Sequence, residues 1–303
     1  MEIDNRVAYC KPPKTIDEQI ALLELRGLIV PDRKKLEGYL KNISYYHLSS
    51  YFKSFQDSTD VFDDKVTFDQ VLNVYEFDKK LRLLMLDVIE RIEKSFKCRL
   101  ISSISLETSD SHWHCNICSY ASKELFDRYI LDRLEKSKDS TVTDYKKYYS
   151  KYNSPEYPPA WTFFESLSFG EIVNFYRNLN AENKKIVAKT FDLQNEYVTS
   201  WMYGLSEVRN ISAHHARLWN VRLTANLKTY HIEYVHLFNL KQFAYVYNFL
   251  LVAHIFMQKI NPTSTWLIKL ENIINEHEID VVHMGFPADW QDRFLEVSIK
   301  HSS

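Results

Sequence analysis

Glycine and proline are scarce in this sequence. Its 303 residues include 5 glycines and 8 prolines, whereas an average usage of about 7% would give roughly 21 glycines. Sheet proteins need both residues at their many tight turns. The shortage therefore argues against a turn-rich β architecture and predicts an all-α fold.

Features that mark several other protein classes are also missing. Four cysteines are too few for a disulfide scaffold, and the N-terminal sequence has no apolar signal region. The most apolar stretch, residues 245–257, is interrupted by Asn248 and His254 and is too short to span a bilayer. A net charge of −2 leaves only a local patch as a surface for nucleic acid. We expect a cytoplasmic protein with no membrane partner.

Helical patterning fills most of the chain, with apolar residues at three- and four-residue spacing. Capping-box spacing occurs at Thr15 with Glu18, Thr67 with Gln70, and Ser168 with Glu171. Helices are predicted over 15–27, from about 32, over 44–52, from 67 to about 104, over 121–136, from 160 with a break at 168–171, and over 181–190, 195–217, 240–260 and 264–276. The helix from residue 67 would be roughly 57 Å long, so we expect a bend or break in it.

The pattern predicts three parts of the chain. Residues 1–60 form an N-terminal helical extension, and residues 61–280 form the main helical domain. An irregular insert at about 137–159 interrupts that domain. Residues 281–303 form a tail that packs on the domain, and its segment VVHMGFPADW is expected to be ordered but non-helical.

The segment SEVRNISAHHARLWN (206–220) carries the most chemistry, with Arg209, Asn210, His214, His215 and Arg217 close together. Cleavage of RNA without a metal requires proton transfer from the 2′-hydroxyl, neutralisation of the phosphorane and protonation of the leaving oxygen. Histidine transfers protons near neutral pH. Arginine stays cationic and holds two phosphate oxygens in a planar fork. The alternative interpretation is an ordinary helix with a partly buried histidine and two surface arginines.

The spacing of these residues has a geometric consequence. On one straight helix, Arg209 and His214 lie about 140° apart, whereas Asn210, His214 and Arg217 share a face. A single copy therefore does not direct Arg209 and His214 at one point. This geometry suggests that a second copy completes the site across a two-fold axis.

RNISAHHARLWN resembles the signature of HEPN-domain ribonucleases, and the chain resembles in particular the AbiD/AbiF-type abortive-infection (Abi-like) proteins. Blocks similar to that family occur in the family's order at 18–52, 74–100, 158–172 and 283–290. The resemblance implies an all-α, HEPN-type helical bundle with an N-terminal helical extension. It also implies a homodimer with a composite site, and RNA cleavage that halts the growth of an infected bacterium. Arg209 and His214 correspond to the catalytic pair.

The chain departs from the family at one motif. The family usually has Tyr-Tyr-Arg-Leu-Ser-Gly-Tyr where residues 45–51 read YYHLSSY, so His47 replaces the arginine. No phosphate contact is therefore expected at that position, while the catalytic pair is unaffected.

The long helix carries a polar face beside its apolar stripe, with Asp78, Arg82, Glu90, Arg91, Glu93 and Lys94. HEPN domains often place a polar residue of a neighbouring helix against the motif, and Glu90 or Glu93 can take this place beside Arg209. For either residue taken singly, a solvated face with internal salt bridges is the more common explanation.

A histidine and cysteine cluster lies in SHWHCNICSY (111–120), with His112, His114, Cys115 and Cys118. These are zinc-ligand residue types. A structural zinc site normally uses ligand pairs from two separated segments, and no second C-x-x-C follows. We therefore expect buried thiols and packing aromatics here, and neither a metal nor a cofactor.

The segment DYKKYYSKYNSPEY (144–157) interleaves lysines and tyrosines, among them Lys146, Lys147, Tyr148 and Lys151. Rings that stack on bases and lysines that follow phosphates form grooves for single-stranded RNA. A mobile surface loop has the same composition, so both interpretations stay open.

The leading hypothesis is an anti-phage HEPN endoribonuclease that cuts single-stranded RNA. His214 acts as general base or acid, Arg209 stabilises the phosphorane, Asn210 orients them, and His215 or Arg217 assists. A small regulatory RNA or an antitoxin is a further candidate partner. The rival hypotheses are a non-catalytic RNA-binding protein, held in a ribonucleoprotein with a small regulatory RNA, and a zinc-stabilised interaction protein.

Overall fold

Helices dominate both parts of the protein in the computed structural model. The structure describes residue 10, residues 12–230 and residues 233–300; the start of the predicted extension and residues 301–303 of the predicted tail lie outside them. Within these ranges the chain forms helices and no β-strand, which confirms the all-α prediction. Two compact units meet in the chain between Lys79 and Lys80. This division lies later than the predicted boundary at residue 60, and it places the tail in the second unit.

The described residues of the first unit form three short α-helices and the start of a long one. Its helices are α1 (Ile16–Leu25), α2 (Arg33–Ile43), α3 (Tyr45–Phe52) and the first turns of α4 (Phe68–Thr108). The predicted capping box of α1 is present, since Thr15 N–H donates to Glu18 Oε2 at 2.7 Å. Gly27 follows α1 with φ +96°, a conformation that glycine adopts without strain. In place of the family's arginine, His47 lies against the rings of Tyr51 and Tyr75.

Helix α4 runs without interruption for 41 residues. The expected break is absent because the segment contains neither glycine nor proline and most of its apolar stripe is buried. The predicted capping pair is present, with Thr67 N–H donating to Gln70 Oε1 at 2.8 Å. The sequence places Asp78 and Arg82 on the polar face, and this is wrong: both are buried, and Tyr51 donates a hydrogen bond to Asp78 Oδ2 at 2.6 Å.

The second unit contains the rest of α4 and the helices that follow it. They are α5 (Lys123–Leu125), a π-helical segment (Phe126–Leu131), α6 (Asp132–Lys138), α7 (Thr143–Lys151), α8 (Ala160–Glu165), α9 (Phe169–Asn178), α10 (Ala181–Lys189), α11 (Asn195–Ala213), α12 (Val246–Ile260), α13 (Trp266–Glu276) and α14 (Trp290–Lys300). Short 3₁₀ turns lie at Trp113–Cys115, Ile117–Ser119, Val235–Leu237 and Val281–Met284.

Helix α12 forms the centre of this unit. Nearly all of its residues are buried, and it packs against α11 and α14. The helix α14 was not predicted. It begins at Trp290, the last residue of the predicted non-helical stretch, and buries Trp290, Phe294 and Val297. His254 Nε2 lies 3.0 Å from the carbonyl oxygen of Phe294 and so links α12 to α14. None of the described helices combines the length and the apolar character needed to cross a membrane.

The predicted irregular insert at 137–159 contains a helix, α7, so that part of the prediction is wrong. Tyrosines supply the buried stripe of this helix. Tyr145 Oη donates to the carbonyl of Phe163 at 2.8 Å, and Tyr148 Oη donates to the carbonyl of Pro155 at 2.6 Å. Because tyrosine carries a polar hydroxyl, a buried stripe of tyrosines looks like a polar surface in the sequence. The helical spacing of the buried residues is therefore hard to recognise.

Close packing around Gly204 joins α11 to its neighbours. A Cβ atom at Gly204 would lie 2.6 Å from Leu227 Cδ2 and 2.9 Å from Phe249 Cε1 of α12. Replacing Gly204 by valine should therefore destabilise the protein by about 1–3 kcal/mol, because the buried Phe249 must move. Urea denaturation measures this loss. Gly170→Ala in α9 is the control, since a Cβ there has no neighbour within 4 Å. If the two variants were equally stable, the close contact of Gly204 with Leu227 and Phe249 would be contradicted.

Candidate active site on helix α11

The motif residues surround the C-terminal end of α11. Arg209 and Asn210 lie in its last turns, and the N–H of His214 donates to the carbonyl of Asn210 at 2.9 Å. The chain then leaves the helix in a Schellman motif: His215 N–H donates to Ser212 O at 3.2 Å, and Ala216 N–H donates to Ile211 O at 3.0 Å.

This ending corrects the helix predicted over 195–217. His215 adopts φ +58°, the left-handed conformation usual for the residue after such a helix end. Glycine or asparagine normally marks that position, and histidine gives no such signal in the sequence. Arg217 therefore lies outside the helix, and the predicted face shared by Asn210, His214 and Arg217 is absent.

Asn210 contacts Arg209 and lies on the same side of the helix as His214. Arg209 Nη1 donates to Asn210 Oδ1 at 3.3 Å. Asn210 and His214 are four residues apart and are joined through the backbone hydrogen bond of the last turn. His214 and Asn210 are exposed, and Arg209 is half-buried. The imidazole is thus accessible to a ligand, and the guanidinium is hydrogen-bonded to Asn210.

Glu93 of α4 is a carboxylate whose charge interacts with that of Arg209. Burial raises the pKa of Glu93, and the positive charges of Arg209 and Lys97 oppose that rise in its pKa. Glu90 behaves differently, because it is exposed and forms an ion pair with Lys94 at 2.6 Å. Of the two candidates, the structure therefore brings Glu93 into the electrostatic surroundings of the motif, while Glu90 belongs to a solvated salt bridge.

Hydrogen bonds to the segment 224–228 position helix α11. Glu207 accepts hydrogen bonds from the N–H groups of Thr224 and Ala225, each at 2.8 Å. One and a half turns earlier, Trp201 Nε1 donates to the carbonyl of Lys228 at 2.8 Å. Glu207 and Arg209 point about 160° apart on the helix, so Glu207 binds this segment from a different side of α11 than the side that bears Arg209. The sequence analysis missed Glu207, because nothing in the spacing shows where its partners lie.

The histidine and cysteine cluster belongs partly to an aromatic core. His114 is fully buried, with its ring stacked on Phe163 at 5.0 Å between centroids. Burial lowers the pKa of His114 to about 3 and raises the pKa of the Cys115 thiol to about 12. The expected aromatic packing is confirmed, whereas Cys118 is exposed and the expectation of buried thiols is wrong for it. In the described part of the chain, no three His, Cys, Asp or Glu side chains are placed to hold a metal ion.

The lysines and tyrosine of α7 have different surroundings. Lys146, Lys147 and Lys151 are exposed. Tyr148 is 8% exposed, and its hydroxyl is engaged by Pro155. Its ring therefore has little free surface for stacking on a base, while the neighbouring lysines are accessible to phosphates.

The raised pKa of Glu93 predicts a pH dependence of stability. Because folded Glu93 binds its proton more tightly than the unfolded chain does, stability should fall as the pH rises from the ordinary pKa of a glutamate through the raised pKa. Glu93→Gln removes this ionisation. The variant should melt at a higher temperature than the wild type at pH 7, and the difference should disappear at low pH.

Thermal melts from pH 4 to pH 8 test this expectation, with Glu90→Gln as the control. Glu90 is exposed and pairs with Lys94, so its replacement should not reproduce the effect. A Glu93→Gln variant that melts below the wild type at pH 7 would show that the attraction to Arg209 outweighs the burial of the carboxylate.

Comparison with known proteins yields one family. The sequence pattern of the family described as Abi-like protein matches residues 38–220. No curated protein and no solved structure matches the chain. The matched range contains Glu93, all of α11 and His214, so the candidate site lies within the part of the chain that resembles the family.

Proposed function

Because the chain belongs to the family of Abi-like proteins, we propose that it is an abortive-infection protein and a metal-independent, HEPN-type endoribonuclease acting on single-stranded RNA in the cytoplasm. The observation that carries the proposal is the end of α11. There, the exposed His214 follows Arg209 in the chain. The guanidinium of Arg209 donates a hydrogen bond to Asn210 and interacts electrostatically with the carboxylate of Glu93. A proton carrier and a fixed cation are the groups that metal-free cleavage of RNA requires.

The proposed reaction is a transesterification at phosphorus. The ribose 2′-hydroxyl loses its proton to a neutral imidazole of His214, and the 2′-oxygen forms a bond to phosphorus. The bond from phosphorus to the 5′-oxygen breaks, and that oxygen takes a proton from an imidazolium. Arg209 stabilises the charge that develops on the phosphorane oxygens. The products are a 2′,3′-cyclic phosphate and a 5′-hydroxyl end.

A homodimer supplies the second proton-transfer group in this proposal. One imidazole acts as base and another as acid, and His214 of a second copy across a two-fold axis provides the latter. His215 is also exposed and is the alternative within one chain. Sedimentation and activity measured over the same concentration range test the dimer, because dilution to the monomer should abolish cleavage. Full activity in a monomer would assign the second role to His215.

Cleavage in the presence of EDTA tests the proposed activity. The purified protein is incubated with a labelled single-stranded RNA and with a pool of transfer RNA. Products with 2′,3′-cyclic phosphate ends are expected, and a requirement for Mg²⁺ would contradict the mechanism. If the protein binds RNA without cutting it, a non-catalytic role in a ribonucleoprotein explains the site better.

A further inference from the structure

Two surface cavities of the second unit share one tryptophan. The first has a volume of about 630 Å³ and lies between α4 and α8, where Lys94, Lys97 and Ile101 are among its lining residues. The second has a volume of about 860 Å³ and lies beside α7, lined among others by Lys147 and Lys151. Trp161 of α8 lines both cavities. The two cavities are therefore parts of one surface, with Trp161 between them.

The exposure of Trp161 distinguishes it from its neighbours in the chain. Its side chain is 53% exposed, whereas Phe163 and Phe164 are fully buried. A large ring that is open to solvent between two cavities can stack on a flat ligand, and nucleobases bind to proteins through such stacking. Tyr152, which is 47% exposed, supplies a second ring on the side of α7.

Positive charge accompanies the two rings. The lysines lining the cavities are Lys94, Lys97, Lys147 and Lys151, and the lining carboxylates are Glu165 and Asp144. Lysines thus outnumber carboxylates around these cavities. The surface complements a negatively charged strand that also carries flat bases.

The ion pairs on this surface leave lysines available for phosphate. Lys147 pairs with Asp144 at 3.4 Å, with both side chains well exposed, and an exposed pair of this kind contributes little to stability. Lys151 forms no ion pair within the described residues, and its ammonium lies 5.1 Å from the ring centroid of Tyr152. Phosphate groups can therefore bind these lysines at small cost to the fold.

Helix α4 connects this surface to the proposed active site. Lys97 lines the first cavity and pairs with Glu165 at 3.1 Å. Glu93 lies one turn before Lys97 on the same helix, and both Lys97 and Arg209 act on its charge. Helix α4 therefore carries both a lysine of this surface and the carboxylate whose charge interacts with Arg209.

We propose that the surface formed by the two cavities binds the single-stranded RNA that enters the active site, with Trp161 stacking on a base and Lys147 and Lys151 contacting phosphates. This inference rests on the proposed ribonuclease function and names the surface that holds its substrate. It assigns the stacking role to Trp161 rather than to the buried Tyr148.

RNA-binding measurements on the full chain test the surface. The parent protein is His214→Ala, which prevents cleavage, and the probe is a fluorescent, unstructured RNA of about 15 nucleotides. Adding Trp161→Ala should weaken binding about 5- to 100-fold, because one stacked base is lost. Trp161→Phe should restore most of the affinity. Tyr129→Ala is the matched control, since Tyr129 is 43% exposed and lines neither cavity.

The salt dependence of binding tests the phosphate contacts. Exchanging both Lys147 and Lys151 for glutamine should lower the slope of log Kd against log salt by about 1.4, at about 0.7 per phosphate on a single strand. Lys136→Gln is the control, because this exposed lysine pairs with Asp132 on α6 and lines neither cavity.

The outcomes separate this inference from the proposed function. If wild type cleaves RNA while Trp161→Ala and the double lysine variant bind it as the parent does, the surface is wrong and the ribonuclease function stands. If the parent does not bind RNA and wild type does not cleave it, both proposals are overturned. The surface is established if the Trp161 and lysine variants lose affinity for RNA, the Tyr129 and Lys136 controls keep it, and the thermal melts of all of them are unchanged.

Discussion

Replacing His214 by alanine should reduce the rate of RNA cleavage by about 100- to 10,000-fold, the usual contribution of a general acid or base. The exposed imidazole at the end of α11 is the proposed proton carrier, and alanine cannot replace it. The fold should be unaffected, because the side chain is exposed and the N–H bond to Asn210 comes from the backbone. Single-turnover cleavage of a labelled RNA in EDTA measures the effect.

Two other histidines serve as controls for this variant. His236 is an exposed histidine that pairs with Glu296 at 2.9 Å, so His236→Ala should cleave RNA at the wild-type rate. His215→Asn keeps a residue that tolerates the left-handed backbone and removes only the imidazole. If His215→Asn loses as much activity as His214→Ala, both imidazoles of one chain take part. Unchanged cleavage by His214→Ala would remove this residue from the mechanism.

Replacing Arg209 by alanine should lower the cleavage rate by about 100- to 1,000-fold, as expected when a charged donor to the transition state is lost. Arg209→Lys should recover little of this activity. An ammonium group cannot hold two phosphate oxygens in a planar fork, nor can it reproduce the bond from the guanidinium to Asn210 with the same geometry.

The rate and the affinity should respond differently to the loss of Arg209. Cleavage is followed under single-turnover conditions, and RNA binding is measured separately for each variant. We expect the rate to fall far more than the affinity, since the proposed contact strengthens in the transition state. Arg222→Ala is the control, because Arg222 is exposed and lies beyond the motif. An equal loss in rate and affinity would make Arg209 a binding residue.

The regular helices could be predicted because their signals are local. The capping boxes at Thr15 and Ser168 were predicted from residues three positions apart, and both are present. The long helix α4 likewise follows from its continuous apolar stripe. Hydrogen bonds within a few residues and a regular hydrophobic period require no knowledge of distant contacts.

Predictions failed where distant contacts decide the structure. The helix α7 is stabilised by hydroxyl groups of tyrosines that reach carbonyls elsewhere in the chain. Asp78 is charged and was placed on the solvated face, yet it is buried with a hydrogen bond from Tyr51. In each case a polar group is satisfied by a partner far away in sequence, and burial then costs little.

The sequence by itself determined the all-α fold and the concentration of an arginine, an asparagine and histidines at 209–215, since both depend on composition and local spacing. Only the tertiary structure decided that α11 ends before His214, that the charge of Arg209 acts on Glu93 while Glu90 pairs with Lys94, and that Trp161 is exposed while its neighbours are buried. The physical reason is the same for all three. A helix end, a charge partner and the exposure of a ring depend on which surfaces pack together, and a single local pattern is compatible with several such packings.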